Sequence, residues 1–289
     1  MPHSRLANPS ATIAALKRFG LYTRKSLGQH FLIDDNIVGR ILDVAALSPG
    51  ESVLEVGPGI GTLTDALLSA GAVVAAVERD ARFVTALQDL QRERGDLTVL
   101  SADAVSVPIG ELTTSAGPPT AFVANLPYGV AATVVLRYFQ ELSSIQRAVV
   151  MVQAEVADRM SAPPGTKSYG SYTVKLALCG CVTERFSVAR SCFLPPPRVD
   201  SAVIRIDRIV RAEPASVLSC AARAADAAFS QRRKTLRNAF GAGLGLPASG
   251  VSRILESAGI DGSLRAESLT VEEYVRLGSV LHAAESESR

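Results

Sequence analysis

The chain has 289 residues, 47% hydrophobic and 20% charged, with 22 Gly and 15 Pro, a balance that excludes disordered, collagen-like and coiled-coil chains and suits one large domain or two unequal ones. Cys179, Cys181, Cys192 and Cys220 form no C-x-x-C pair, and His3, His30 and His282 lie far from them in sequence, which argues against structural zinc and for reduced thiols in a cytoplasmic protein. The N-terminus has no apolar signal region and no window reaches about 18 apolar residues, so neither secretion nor membrane spanning is expected.

The net charge is only +2, but its distribution is uneven. Residues 1–33 carry Arg5, Lys17, Arg18, Arg24 and Lys25 with no acid, and Arg232, Arg233, Lys234 and Arg237 crowd four cations into six residues. On a helix, 233/237 and 234/237 would repel one another by a few tenths of a kcal/mol per pair, a cost that an anionic partner relieves. A solvated basic face is the commoner meaning of such a run.

In chain order, Asp34 or Asp35 caps a helix carrying Ile37, Val38, Ile41 and Leu42. S-V-L-E-V at 52–56 reads as a buried strand, followed by G-P-G-I-G and a helix carrying Leu63, Ala66, Leu67 and Leu68. The pattern repeats with a strand at 72–78, a helix at 80–93 and a strand at 97–100. Strands at 120–125 and 147–153 follow, with a helix at 130–141 between them. This alternation predicts a parallel sheet covered by helices on both faces. F-L-P-P-P-R-V-D-S at 193–201 reads as an exposed loop, because successive prolines remove donors and fix φ. S-A-V-I-R-I-D-R at 201–208 alternates as a strand, and the Ala-, Leu- and Arg-rich remainder reads as helical. G-A-G-L-G at 241–245 reads as a loop and helix stop. A boundary near 210 predicts a domain over 1–210 and a small all-helical one over 211–289.

The residues that carry chemistry fall at successive strand ends, on the carboxyl edge where open α/β sheets bind ligands. E-V-G-P-G-I-G, Glu55 to Gly61, ends a strand and opens a helix, the context of a nucleotide-binding turn. Thr62 stands where a dinucleotide fingerprint has its third glycine, which counts against NAD; a turn beside an adenosine without a pyrophosphate suits S-adenosylmethionine. Glu78, 21 residues after Gly57, can accept both ribose hydroxyls, and Asp103 can accept from an adenine amino group or simply cap a turn.

N-L-P-Y at 125–128 is the sharpest signal. An exocyclic adenine amine has its lone pair delocalised into the ring and is a poor nucleophile until acceptors hold its protons. The Asn125 side-chain oxygen and the Leu126 carbonyl can supply two acceptors, the proline fixing their orientation, and Tyr128 offers a stacking face worth about 1–3 kcal/mol.

Together, G-Q-H-F-L at 28–32, E-V-G-P-G-I-G-T-L-T at 55–64, N-L-P-Y, F-L-P-P-P-R-V-D-S and F-S-Q-R-R-K-T-L-R-N-A-F at 229–240 resemble the ribosomal RNA adenine N6-dimethyltransferases, nearest to the bacterial small-subunit branch. The resemblance runs in order over about residues 15–285. It implies a Rossmann-like, class I S-adenosylmethionine-dependent methyltransferase sheet. It also implies transfer of two methyl groups to each of two adjacent adenosines in the 3′-terminal hairpin of 16S rRNA, within the small ribosomal subunit or its late precursor. It places Gln29, His30, Leu32, Gly57, Gly59, Glu78, Asp103, Ala104 and Asn125 at the cofactor, although many relatives carry Asn at the position of His30. Asn125, Leu126 and Tyr128 fall at the target base, with Phe193 as the aromatic on its other side.

The mechanism implied is in-line displacement at a sulfonium methyl, without metal or covalent intermediate, by a monomer. Arg24, Lys25, Arg232, Arg233, Lys234 and Arg237 are the candidate phosphate contacts. Rival readings are the large-subunit adenine methyltransferases of macrolide resistance, protein-glutamine methyltransferases with N-P-P-Y, and a non-catalytic assembly or transcription factor on the same fold. The L-P form of N-L-P-Y and Q-R-R-K-T-L-R-N favour the small-subunit branch over the large-subunit one, and intact Gly57, Glu78, Asn125 and Tyr128 argue against lost catalysis.

Overall fold

The computed structural model describes residues 2–21 and 30–287. They form two compact units, residues 1–157 with 182–208, and residues 158–181 with 209–289.

In the first unit, β2 (Ser52–Val56), β3 (Val73–Glu78), β4 (Leu97–Ser101), β5 (Ala121–Asn125) and β6 (Arg147–Gln153) arise from the apolar runs noted above. The central runs are buried along nearly their whole length, as strands covered on both faces require. Two further strands, β7 (Gly180–Val188) and β9 (Ser201–Arg208), complete a seven-stranded sheet of order β4-β3-β2-β5-β6-β9-β7. The first five strands pair in parallel, and β9 runs antiparallel to β6, so the sheet is mixed rather than wholly parallel. The polar, largely exposed face of β7 hid it from a search for apolar runs.

Strand order reverses at β2, which pairs with β3 on one side and β5 on the other. The crevice beyond the carboxyl ends of β2 and β5 is therefore the topological switch point at which such sheets bind ligands. Four helices follow or precede these strands as expected: α2 (Asp35–Ala45), α3 (Thr62–Ser69), α4 (Ala81–Arg94) and α5 (Ala131–Glu141). Asp34 caps α2, accepting from the Asn36 amide at 3.0 Å and more weakly from that of Ile37.

A helix the sequence reading did not assign, α1 (Pro9–Arg18), starts at a capping Asn8. Its Leu16, with Leu21, buries against Phe31, Ile60 and Phe83. The proline-rich stretch is only partly the exposed loop expected. Its first two residues form β8 (Phe193–Leu194), paired antiparallel with β1 (Phe31–Leu32), because Phe193 is a core side chain; residues 198–200 are exposed.

The second unit contains the end of α6 (Ala154–Met160), α7 (Ser171–Ala177), α8 (Ala215–Phe229), α9 (Leu236–Leu244), α10 (Ala248–Ser257) and α11 (Val271–Glu287). Residues 158–181 belong here, not with the sheet as the boundary near 210 implied. Ala162, Tyr169 and Val174 pack into one core with Phe240, Leu255 and Tyr274. The Tyr169 hydroxyl also donates to the Leu269 carbonyl at 2.9 Å. Helix α9 runs through Gly241 and Gly243 and stops only at Gly245, so the 241–245 glycines are mainly helical rather than loop. No described helix is long and apolar enough to cross a membrane.

Candidate active site

The turn after β2 brings three motifs together. Gly57 and Gly59 have φ of +67° and +59°, which side-chain-bearing residues rarely adopt. A Cβ on Gly57 would lie 3.0 Å from Pro127 Cδ, and one on Gly59 would lie 3.2 Å from the Phe31 ring. The glycines thus serve packing as well as bending: Pro127 packs against the turn at Gly57 and Phe31 at Gly59.

Glu78 ends β3 beside this turn and is 8% exposed. One carboxylate oxygen accepts from the Gly59 amide at 3.1 Å and the other from the Asp80 amide at 2.8 Å. Burial, helped by the charge of Asp80, pushes its pKa above the usual carboxylate range, against the amides of Asp80, Gly59 and Arg79. Each oxygen keeps a second lone pair, so a vicinal diol can be accepted. Asp103 takes the turn-capping role: Oδ1 accepts from the Val105 amide at 2.9 Å, while Arg79 approaches Oδ2 at 3.3 Å. Ala104 is buried, and its carbonyl accepts from the Tyr138 hydroxyl and the Arg137 guanidinium, both at 3.0 Å.

Glu55, on β2 two residues before Gly57, opens the glycine motif. It is 1% exposed, accepts from the Thr64 hydroxyl at 2.7 Å, and has its pKa pushed up to about 8 by burial and by the charge of Glu78. An acid ahead of a glycine turn is visible in E-V-G-P-G; that no cation among the described residues pairs with it is not.

At the end of β5 the Leu126 amide donates to the Met151 carbonyl at 3.0 Å, fixing the Asn125–Leu126 peptide. The Asn125 side-chain nitrogen points to the His30 carbonyl at 3.4 Å, which leaves its oxygen as the free acceptor. The Tyr128 hydroxyl bonds to that of the fully buried Ser201 at 2.9 Å, and burial raises its pKa. Ser201 closes F-L-P-P-P-R-V-D-S, and only the fold brings it to Tyr128, 73 positions away.

The ring facing Tyr128 is that of His30, near-parallel at 27° with centroids 5.7 Å apart. Its Nδ1 lies 2.7 Å from the Pro195 carbonyl. A carbonyl only accepts, so Nδ1 carries the proton, and in the neutral ring Nε2 is an acceptor. Phe193, expected on the far side of the base, is 1% exposed and packs in the sheet core opposite Leu32, itself 3% exposed. Neither presents an open face in this structure, because β1–β8 pairing turns both side chains inward.

The basic stretches divide. Arg5 binds the buried Asp65 at 3.1 Å and Glu93 at 3.2 Å, and Arg18 binds Asp89 at 3.0 Å, so these arm cations are engaged within the first unit. Arg24, Lys25 and Gln29 lie outside the described residues. In the second unit, residues 232–234 occupy a turn between α8 and α9, and only Arg237 is helical, so the helical repulsion considered above does not arise. Arg232 donates to the Lys167 and Tyr169 carbonyls and meets Glu267 at 3.3 Å. Arg233, Lys234 and Arg237 are exposed.

A family model described as ribosomal RNA adenine dimethylase matches residues 20–282. A Rhodococcus opacus protein named ribosomal RNA small subunit methyltransferase A is 45% identical over 284 residues, covering 95% of this chain and 94% of the relative. A protein of the same name from Nocardia farcinica is 43% identical over 284 residues, covering 95% of each. Among solved structures, a Plasmodium falciparum dimethyladenosine transferase superposes with a TM-score of 0.72 at 24% identity, covering 86% of this chain and 96% of the other. The 23S rRNA methyltransferase ErmE gives a TM-score of 0.63 at 28% identity, covering 87% and 99%.

Proposed function

Because the chain belongs to the ribosomal RNA adenine dimethylase family, we propose that it dimethylates N6 of two adjacent adenosines in the 3′-terminal hairpin of 16S rRNA, using S-adenosylmethionine, within the small ribosomal subunit or its late precursor in the cytoplasm. The observation that carries the chemistry is the junction of motifs: Pro127 packed on Gly57 and the Asn125 amide oriented by the His30 carbonyl. The small-subunit substrate is favoured over the large-subunit one by relatives at 39–45% identity named for the small subunit, against 28% for ErmE.

The residues present fit S-adenosylmethionine. Gly57 and Gly59 form a turn that a Cβ would fill, and the nearby Glu78 carboxylate retains acceptor capacity for a ribose diol. Asp103 and Ala104 at the end of the next strand would flank the adenine, and His30 and Asn125 the methionine end. Bound there, the sulfonium supplies an activated methyl carbon and leaves as a neutral thioether.

The chain's own part is positioning. Asn125 Oδ1 and the Leu126 carbonyl accept the two N6 protons, localising the nitrogen lone pair, and the proton released afterwards passes to water or to one of these oxygens. Tyr128, held by Ser201, supplies a stacking face. The target adenosine must leave its stack to reach this pocket, at a cost of a few kcal/mol that is lower in a hairpin loop than in a duplex. Arg233, Lys234 and Arg237 of the helical unit hold the RNA backbone, with RNA shape setting much of the specificity.

Labelled cofactor supplied with undermethylated small or large subunits, followed by mapping of the product base, tests this. Incorporation is expected in the small-subunit hairpin alone, with a loss of about a hundredfold or more for Asn125→Ala, the scale of a removed transition-state contact. Undiminished turnover by Asn125→Ala and Tyr128→Ala would refute the pocket, and labelling of the large subunit would replace the substrate.

A further inference from the structure

The loop after β8 is anchored at both ends to the two rings of the candidate pocket: the Pro195 carbonyl holds His30, and Ser201 holds Tyr128. What lies between those anchors lines a groove of about 390 Å³, bounded by Ala189, Arg190, Ser191, Pro196, Pro197 and Asp200. This volume falls within the roughly 300–1,000 Å³ of ligand pockets.

The groove wall is braced. The Arg190 amide donates to Asp200 Oδ1 at 3.3 Å, its guanidinium donates to the Arg198 carbonyl at 3.4 Å, and the Ala154 amide donates to the Asp200 carbonyl at 3.0 Å. The prolines add rigid apolar faces without donors. The side chains of Arg190 and Asp200 nevertheless remain 57% and 62% exposed, their guanidinium and carboxylate 3.5 Å apart.

We propose that this groove binds a nucleotide flanking the target adenosine on the same RNA strand, a subsite that rests on the function proposed above. A base stacked on Tyr128 brings its neighbours along the loop whose ends hold His30 and Tyr128. Proline and alanine faces suit a ribose or base, Arg190 pairs with a phosphate, and Asp200 accepts from a ribose 2′-hydroxyl while turning phosphate away from its own end. The adjacent cation and acid thereby orient the strand, which a uniformly basic groove would not.

The test compares wild type with Arg190→Ala, Arg190→Lys and Asp200→Asn, using undermethylated small subunits. RNA affinity is read across a salt series, cofactor affinity by calorimetry, and methyl incorporation in the same preparations. Arg190→Ala should weaken RNA binding roughly five- to tenfold and reduce the salt slope by about 0.7, the value for one phosphate on a single strand. Cofactor affinity should stay unchanged. Arg190→Lys should recover most of the slope, because a lysine keeps the charge but not the fork that braces the Arg198 carbonyl. Asp200→Asn should weaken RNA binding with no change in slope. Unchanged RNA affinity in both Arg190→Ala and Asp200→Asn, with wild type active, overturns the subsite. A loss of cofactor affinity in parallel with RNA affinity also overturns it, reducing the loop to a support for His30. Failure of the wild type itself to label small-subunit adenosines would instead overturn the proposed function.

Discussion

The two basic stretches look alike in sequence and behave differently in the fold. In the N-terminal one, Arg5 and Arg18 are drawn onto acids of α3 and α4. Asp65, fully buried, accepts the Arg5 amide at 2.9 Å, the Arg5 guanidinium at 3.1 Å and the Arg94 guanidinium at 2.7 Å. In the C-terminal one, Arg232 supports its own unit, while Arg233, Lys234 and Arg237 face solvent. A run of cations therefore says little about an anionic partner until it is known which acids lie within reach. Charges that close on a buried carboxylate stabilise the protein, and those left in water remain available to phosphate.

The largest expected effect breaks the first half of that contrast. Asp65→Ala leaves Arg94 and Arg5 without their shared acid and should cost about 3 kcal/mol, read as a lowered urea midpoint at constant slope. Although burial works against its ionisation, the Arg5 amide and the two guanidiniums hold the Asp65 pKa below the usual range. Its stabilising contribution is thus present above the unfolded pKa of about 3.9 and is lost as pH falls through the folded value. An unchanged midpoint would mean that the arm is not held by this acid.

Glu55 sharpens the comparison by supplying a buried acid with no cation paired to it among the described residues. Its folded pKa, up to about 8, lies above the unfolded value. Between about 4.5 and about 8 the native state holds the proton that the unfolded chain has released, so stability should fall as pH rises, at no more than about 1.4 kcal/mol per pH unit. Glu55→Gln keeps the donor–acceptor pattern without the titration and should flatten the melting temperature across that window. A wild-type profile already flat from pH 5 to 8 would show that Glu55 is ionised in the fold.

The smallest effect on stability belongs to the exposed cluster. Replacing Arg233, Lys234 and Arg237 together by alanine should change stability by about 0.5 kcal/mol or less per site, as surface substitutions do. It should also reduce the salt dependence of RNA binding by up to about 0.7–0.9 per lost phosphate contact. Unfolding of this variant, or an unaltered salt slope, would erase the distinction between the two stretches.

Much of this protein was legible from its residues. The apolar runs at 52–56, 72–78, 120–125 and 147–153 have the length and continuity that only a doubly covered strand requires. The chemical motifs at their carboxyl ends follow from where such a sheet binds ligands. Strand β7 escaped because its side chains alternate weakly and face water. Residues 158–181 were misassigned because chain order does not reveal which core a short helix joins.

Local covalent chemistry and periodicity therefore determined the central sheet elements, the glycine turn and the N-L-P-Y turn after β5, since each depends on neighbours within a few residues. Tertiary structure alone decided that Arg5 meets Asp65, that Ser201 meets Tyr128, that His30 rather than Phe193 faces that ring, and that burial beside Glu78 raises the Glu55 pKa. Those outcomes rest on distances and burial between residues up to 165 positions apart, as in His30 with Pro195, and Coulombic and desolvation energies are set by such distances, not by order along the chain.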